Sequence, residues 1–378
     1  MNRKNGKRIF IALWFCATVF CSMAMVRYAV PWMQSIQLGN GKANAAETPM
    51  YHFSQKADDV LLYNWTQGMG ALAEPPVSSA EDSAVITQES EASVSLHNAK
   101  PYPTERNLKD GTIVETHYGI QKGSQFLNLD TAGQVRNCTD WNNDQLLAES
   151  RISPDLPLKA DGTPMVLIYH THTTESYELI DRSGVDDSFN YRTTDPTKNM
   201  VRVGEAIAEQ LSAAGIGVIH AKEIHDYPVW SGSYTRSANT IQSILNANPS
   251  ICIALDIHRD AISNDTTIFA PVAEIRGKKA AQIMIISGCD DGTLNMPEYR
   301  RNFHLASRIQ QTMEANFAGL TRPILFDYRK YNQDLTHGSL LIEVGSQGNT
   351  MEEARYAGEL FGKALRETIL ALIREREV

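Results

Sequence analysis

From about Leu156 to its C-terminus, the chain alternates short apolar runs with segments whose apolar residues recur at helical spacing. Apolar runs of this length predict strands, and the helical spacing predicts helices between them. The predicted strands are 165–169, 217–220, 251–257, 282–287, 324–328 and 339–344, and the predicted helices are 199–214, 237–245, 302–317 and a last helix that opens at a Thr350–Glu353 capping box and runs to about Arg374. This alternation predicts an α/β fold with a mostly parallel, twisted sheet and helices on both faces.

The N-terminal end has the pattern of a membrane anchor. Residues 1–8 carry four basic side chains and no acid, and residues 9–26 form an 18-residue run without a charge. Continued to residue 30, a helix of this run can cross a hydrocarbon core of about 30 Å, and its basic flank favours a cytoplasmic N-terminus. The alternative is a signal peptide cleaved near Ala43-Asn44-Ala45, although the apolar run is long for one. We predict a retained single-pass anchor at 9–30 in the cell membrane, with the rest of the chain extracytoplasmic.

The region between the anchor and the α/β pattern changes in composition along its length. Residues 74–101 contain six serines, five acids and no aromatic residue, which is typical of a linker because such a segment buries too little apolar surface to fold. The chain is predicted to have six parts in order: a cytoplasmic tail at 1–8, the anchor at 9–30, an extracytoplasmic segment at 31–73, a linker at 74–107, a lead-in segment at 108–155 and a catalytic domain at 156–378.

Charge and cysteine content exclude two classes of protein. The chain has 35 basic and 44 acidic residues, a formal net charge of −9, so nucleic-acid binding is not expected. Five cysteines in 378 residues are too few for a fold built on disulfides.

Histidine and glutamate side chains stand at the ends of three predicted strands. His170, His172 and Glu175 follow the first strand, His258 follows the third, and Glu343 lies near the end of the last. Because ligands of such sheets bind outside the carboxyl ends of the strands, we expect these side chains to lie near one site.

The residue types at this edge indicate a metal-dependent hydrolase. Two imidazoles and a carboxylate, from His172, His258 and Glu175, are a typical ligand set for one zinc ion with a position left for water. Glu343 lies in an otherwise apolar run, where a carboxylate without a partner is costly, and it is the candidate general base.

Several assignments stay open at this stage. His170 has the same strand parity as His172 and is either a residue supporting the ligands or a replacement for Glu175 as ligand. Arg259 and Asp260 either orient a ligand and stabilise the oxyanion or form an internal salt bridge. The polar stretch Tyr331, Asn332 and Gln333 either contacts substrate amides or forms a turn. Glu343 itself is either this general base or the partner of a helix dipole or of a salt bridge.

Four strings in this order, HTHTTESY, LDIHRDA, YNQDL and LLIEVGSQGNTMEEA, resemble stage II sporulation protein P of endospore-forming bacteria over about residues 160–375. The resemblance implies a fold similar to zinc N-acetylmuramoyl-L-alanine amidases and zinc carboxypeptidases. It also implies hydrolysis of the muramoyl–L-alanine amide and of cross-link peptides in peptidoglycan. The implied setting is the septal membrane during spore engulfment, beside a lytic transglycosylase and a multi-span membrane protein.

The resemblance also implies roles for individual residues. Glu343, followed by Gly345 and Asn349–Glu353, matches the catalytic glutamate segment of the related amidases, and His172 and His258 match their zinc histidines. Those amidases take their zinc glutamate from the start of the first helix, where residues 199–203 of this chain hold no acid and Glu205 is the nearest. Glu175 is the proposed substitute.

Two further functions compete with the amidase interpretation. A zinc carboxypeptidase that trims stem peptides would keep the metal site and change the product. A wall-binding scaffold would keep the fold without turnover.

Overall fold

The computed structural model describes residues 108–186 and 189–377. The predicted cytoplasmic tail, anchor, extracytoplasmic segment and linker therefore lie outside the described residues. Within the described ranges, no helix is long and apolar enough to cross a membrane.

The centre of the molecule is an eight-stranded sheet. Its strands, in chain order, are β2 (Phe126–Asn128), β3 (Gln134–Asn137), β4 (Pro164–Tyr169), β6 (Gly217–His220), β7 (Ile253–Asp260), β10 (Ile283–Gly288), β11 (Ile324–Asp327) and β12 (Ser339–Ser346). They lie side by side in the order β2-β3-β11-β10-β12-β7-β4-β6. Five of the seven pairings are parallel, and the β2–β3 and β10–β12 pairings are antiparallel.

Five helices of the described chain accompany the sheet: α1 (Asn143–Glu149), α2 (Met200–Ser212), α3 (Ser233–Ala247), α4 (Tyr299–Asn316) and α5 (Met351–Arg376). The helix starts follow their sequence signals. The Asn199 side chain caps α2, and the capping box predicted at Thr350 and Glu353 is present at the start of α5.

The strands bury alternate residues on opposite faces, as the period of two requires. Val166 and Ile168 of β4 belong to the large core under α2, α4 and α5, whereas Leu167 and Tyr169 pack against Ile241 of α3. Helices thus cover both faces of the sheet, and the prediction of a mixed α/β fold is confirmed.

A smaller sheet stands beside the main one and was not predicted. It contains β5 (Gly184–Val185), β1 (Gly111–Thr116), β8 (Thr267–Ile275) and β9 (Lys278–Ala281), in that order. The predicted lead-in segment 108–155 therefore contributes strands to both sheets. Its β1 belongs to the small sheet, and its β2 and β3 extend the main sheet.

One strand boundary differs in a way that affects the site. The predicted strand 251–257 ends where polar residues begin, but β7 continues to Asp260. His258, Arg259 and Asp260 therefore lie inside a strand and do not follow it. The strand continues because these polar side chains are buried against charged and polar partners, so hydrophobicity does not mark its end.

Candidate active site

The segment after β4 folds back as a tight turn. Asp256 of β7 accepts hydrogen bonds from the Thr171 amide at 2.8 Å and from the Thr171 hydroxyl at 2.7 Å. The Glu175 amide then donates to the His172 carbonyl at 3.0 Å. This turn brings the side chains of His172 and Glu175 back towards the carboxyl end of β7, although β4 itself has already ended at Tyr169.

The three predicted ligands converge at this point. The ring centroids of His172 and His258 are 5.3 Å apart, and His258 Nδ1 lies 3.6 Å from Glu175 Oε2. All three residues are between 3 % and 6 % exposed, so each keeps a small part of its surface open. Sequence positions 86 residues apart, 172 and 258, therefore share one small volume.

Glu343 lies directly beside this volume. It pairs in register with His258 across the parallel β12–β7 pairing, and the register then shifts before Ser346. Gly345 takes a left-handed φ of 62° at that shift, where a Cβ atom would stand 2.4 Å from Asn349 Oδ1, so a larger residue would not fit. The Asn349 side chain closes the turn by accepting from the Ser346 amide at 2.9 Å and donating to Glu353 at 3.0 Å.

The Glu343 carboxyl group is in an unusual electrostatic position. Burial, and secondly the nearby Asp260 carboxylate, raise the pKa of Glu343 to about 8. Its Oε2 atom is buried, and no described residue hydrogen-bonds to it. A buried polar oxygen without a partner is uncommon in proteins and marks a place where a bound molecule can form a hydrogen bond.

The His258 ring lies between two carboxylates, those of Asp256 and Glu175. Burial alone would lower its pKa, but the carboxylates of Asp256 and Glu175 outweigh burial and raise the pKa of His258 to about 9. His258 Nε2 lies 2.8 Å from Asp256 Oδ1, a contact close enough for an ion pair but outside the angles of a hydrogen bond. The other ring nitrogen, Nδ1, is the one that faces Glu175.

The donor atoms suit zinc in kind. Two imidazoles and a carboxylate match the common three-residue ligand set, and a carboxylate behind one histidine, as Asp256 stands behind His258, is the usual outer support of such a ligand. Across 108–186 and 189–377, however, no three His, Cys, Asp or Glu side chains are arranged as a complete metal site. The convergence brings donors of the right kind together without arranging them as a complete site.

The other predicted histidine, His170, is turned away from this cluster. Its Nδ1 bonds to the Ile257 carbonyl at 3.0 Å and its Nε2 to His220 Nε2 at 2.9 Å. The shared parity with His172 does not hold because the extended strand ends at Tyr169 and a turn follows. The structure thus does not bring His170 to Glu175 as an alternative ligand.

Arg259 and Asp260 make internal contacts. The Arg259 guanidinium donates to the carbonyls of Ser176 at 2.8 Å and Tyr191 at 3.0 Å, and its backbone amide donates to Glu175 Oε2 at 3.2 Å. Asp260 forms a buried ion pair with Arg322 at 2.8 Å. Of the two alternatives for these residues, Asp260 therefore forms an internal salt bridge. Arg259 orients Glu175 through the backbone amide of Arg259.

The Tyr331–Gln333 stretch is a structural turn with one side chain near the site. Gln333 is buried and bonds to the backbone of Ile286 and Gly288, and the Asn332 amide donates to the Tyr234 carbonyl at 2.9 Å. Tyr331 stacks on Tyr234, whose ring in turn lies parallel to that of His258.

Comparison with known proteins shows to which family the chain belongs. The sequence model of the Stage II sporulation protein P family matches residues 67–366. The chain belongs to this family. A Stage II sporulation protein P of Bacillus subtilis (strain 168) is 30 % identical over 216 residues, which cover 54 % of this chain and 51 % of the relative. The chain thus spans about half the length of that family member.

Solved structures similar to this sporulation protein P family member include two amidases. One is the N-acetylmuramoyl-L-alanine amidase AmiC2 of Nostoc punctiforme, at 12 % identity and a TM-score of 0.36, covering 57 % of this chain and 99 % of that one. Another is the CwlD amidase of Clostridioides difficile in complex with the GerS lipoprotein, at 13 % identity and a TM-score of 0.34, covering 56 % and 99 %. Similarity at this level assigns neither activity to the chain.

Sequence reasoning missed four side chains around the cluster in this family member. Asp256 stands two residues before His258 and so points to the same face of β7, a signal that the string LDIHRD contains. Asp226 lies 3.9 Å from His172 Nδ1, Trp230 stacks on the His172 ring, and Tyr234 packs beside both histidines. No pattern in the sequence identifies these three, because they reach the site from the segment before α3 and from the first turn of α3.

Proposed function

We propose that this chain is a zinc-dependent peptidoglycan hydrolase that acts in sporulation. The observation that carries the proposal is the convergence of His172, Glu175 and His258 at the carboxyl end of β7, with the buried Glu343 paired in register with His258. Membership of the Stage II sporulation protein P family supports the sporulation setting.

In this proposal His172, Glu175 and His258 hold one zinc ion, which when bound polarises the scissile carbonyl and acidifies a water molecule. Arg259 keeps Glu175 in place through its backbone amide, and the Asp256 carboxylate lies against Nε2 of the His258 ring, whose Nδ1 faces the site. Glu343 takes the proton of the attacking water and delivers it to the leaving nitrogen. Burial raises the pKa of Glu343 to about 8, and the positive charge of a zinc ion held beside it would favour the carboxylate form that accepts the water's proton.

The proposed bond is the amide between muramic acid and L-alanine, with cross-link peptides as further substrates. The predicted single-pass anchor at 9–30 would hold the enzyme at the septal and engulfing membrane. A lytic transglycosylase and a multi-span membrane protein are the proposed partners there, on the basis of the family resemblance. A lytic transglycosylase cuts glycan strands, so the two activities would act on different bonds of one substrate.

Digestion of purified peptidoglycan by the full chain in detergent tests the proposal. Products are identified by mass with added zinc and with a chelator. We expect zinc-dependent release of whole stem peptides. Release of single terminal amino acids would instead show a trimming carboxypeptidase, and the absence of any product would leave a wall-binding scaffold.

Glu343→Gln is the matched control because it preserves shape and removes the base. It should lower kcat by about 10²–10⁴-fold while zinc content stays that of the wild type. A variant that kept its kcat would show that Glu343 is not the base.

A further inference from the structure

An exposed tryptophan stands at the edge of the site. Trp230 lies nearly parallel to the His172 ring, with ring centroids 5.2 Å apart and an angle of 14°. One side of the indole therefore packs on a proposed zinc ligand, yet the residue is 40 % exposed and its neighbour Val229 is 59 % exposed. A tryptophan that served only to pack against His172 would be expected to bury more of its large apolar surface.

The segment that presents the indole, residues 226–232, is held by hydrogen bonds to its own carbonyls and to the carbonyl of His225 just before it. The Arg236 guanidinium of α3 donates to the carbonyls of His225 at 2.6 Å, Val229 at 2.5 Å and Ser231 at 3.0 Å. Three bonds from one planar group fix the path of the loop on both sides of Trp230.

The first residue of this segment is fixed separately. Asp226 accepts from the Thr174 hydroxyl at 2.6 Å and from Arg192 at 2.7 Å. The indole therefore keeps its place before any molecule binds, and a preformed surface loses little conformational entropy on binding.

The chemistry of this surface suits an uncharged, flat ligand. Residues 227–232, YPVWSG, carry no charged side chain. A pyranose ring presents a flat face of C–H groups that matches an aromatic face. Stem peptides carry carboxylates. Residues 227–232 offer these no cationic side chain, and the guanidinium of Arg236 beside them is engaged with three main-chain carbonyls.

We propose that Trp230 is a stacking subsite for a sugar ring of the glycan strand, placed next to the amide that is cut. This inference rests on the proposed function, since it names the part of peptidoglycan that this side of the site contacts. The muramoyl side of the scissile bond then lies over Trp230, and the stem peptide leaves in another direction.

Binding measurements test the subsite without requiring turnover. In full-length protein carrying Glu343→Gln, dissociation constants are measured by calorimetry for two ligands with the same amide: N-acetylglucosaminyl-N-acetylmuramoyl pentapeptide, and D-lactoyl pentapeptide, which lacks both sugars. Adding Trp230→Leu should weaken binding of the disaccharide ligand about tenfold and leave binding of the lactoyl peptide unchanged. Adding Trp230→Phe should restore much of the lost affinity, because a flat face remains.

Zinc content separates a sugar contact from support of His172. Equal weakening of both ligands, or loss of zinc in Trp230→Leu, would show that the indole acts only through His172 and would overturn the subsite. Weakening confined to the lactoyl peptide would assign Trp230 to the stem peptide and overturn it equally. If the wild-type chain cuts no peptidoglycan, the proposed function fails on that result alone, while these affinities still decide whether a sugar stacks on Trp230.

Discussion

Two groups of histidines lie close together in this molecule and differ in what surrounds them. The site cluster contains His172 and His258 with the carboxylates of Glu175 and Glu343, whereas the histidine pair contains His170 and His220. His170 and His172 are separated by one residue in the chain. The comparison shows that the neighbours across the sheet, and not the spacing in the sequence, decide what a buried imidazole can do.

The pair is satisfied by its own hydrogen bonds. The lowered pKa values of both rings keep them neutral near pH 7; the Ile257 carbonyl can only accept, so His170 Nδ1 donates to it, and Nε2 of the neutral His170 ring then accepts from His220 Nε2. Burial and then the neighbouring His220 ring lower the pKa of His170 to about 3, and burial and then Lys222 lower that of His220 to about 4. Gly204 leaves room for the two rings, because a Cβ atom there would stand 2.5 Å from His220 Nε2.

In the site cluster the partners of His258 are acids, whereas burial and then the neighbouring His258 ring and Arg192 lower the pKa of His172 well below its ordinary value. The Asp256 and Glu175 carboxylates raise the pKa of His258 to about 9 against the effect of burial. The carboxylates around His258 attract a cation into the small volume that the cluster shares, whereas no carboxylate contacts the His170–His220 pair in the described structure. The cluster is therefore the site that we propose for the chemistry, and the pair is packed within the structure.

The largest expected effect separates the two groups directly. His172→Ala should remove zinc and all measurable turnover, since losing one of three ligands leaves an incomplete site. His220→Gln should keep both, because it alters only the pair. Zinc content by mass spectrometry and release of stem peptides measure the difference, and a His172→Ala protein that still bound zinc and cut peptidoglycan would contradict the assignment.

A smaller effect should come from the carboxylate behind His258. Asp256→Asn removes the negative charge beside Nε2 and should weaken zinc binding about 10–100-fold, measured by competition with a chromogenic chelator. Thr171→Val is the matched control, since it removes a hydrogen bond from Asp256 and leaves the contact to His258. If both variants lost zinc affinity equally, Asp256 would act through the turn and not through His258.

The smallest expected effect is on the stability of the protein at acid pH and comes from the His170–His220 pair. Both rings have folded-state pKa values below the ordinary 6.5, so the unfolded chain binds these protons more readily. The contribution to stability is complete above pH 6.5 and is lost as the pH falls from 6.5 to about 4 for His220 and to about 3 for His170, at up to about 1.4 kcal/mol per pH unit for each group. His220→Gln should therefore lose less free energy of unfolding than the wild type between pH 6.5 and 4.5, as followed by urea denaturation.

His337→Gln serves as the control for this acid effect, because it removes an exposed histidine away from the pair. It should follow the wild-type pH dependence. Identical slopes for wild type and His220→Gln would show that the pair does not carry the acid sensitivity.

Much of the site could be predicted from local patterns. Polar residues that interrupt or end apolar runs predicted His172, Glu175, His258 and Glu343 near one sheet edge, and the structure brings these four together. The position of His170 could not be predicted, because parity applies only while the strand stays extended. The length of β7 was missed for a related reason, since His258 and Asp260 are polar but buried against partners distant in the chain.

The sequence by itself determined the alternation of strands and helices, the helix caps and the residue types available for chemistry, because these depend on neighbours within a few positions. Only the tertiary structure decided the strand order, the small second sheet and the separation of His170 from His172. It also decided the support from Asp256 and the position of Trp230 over the site. Those features come from contacts between segments many residues apart, which local periodicity does not encode.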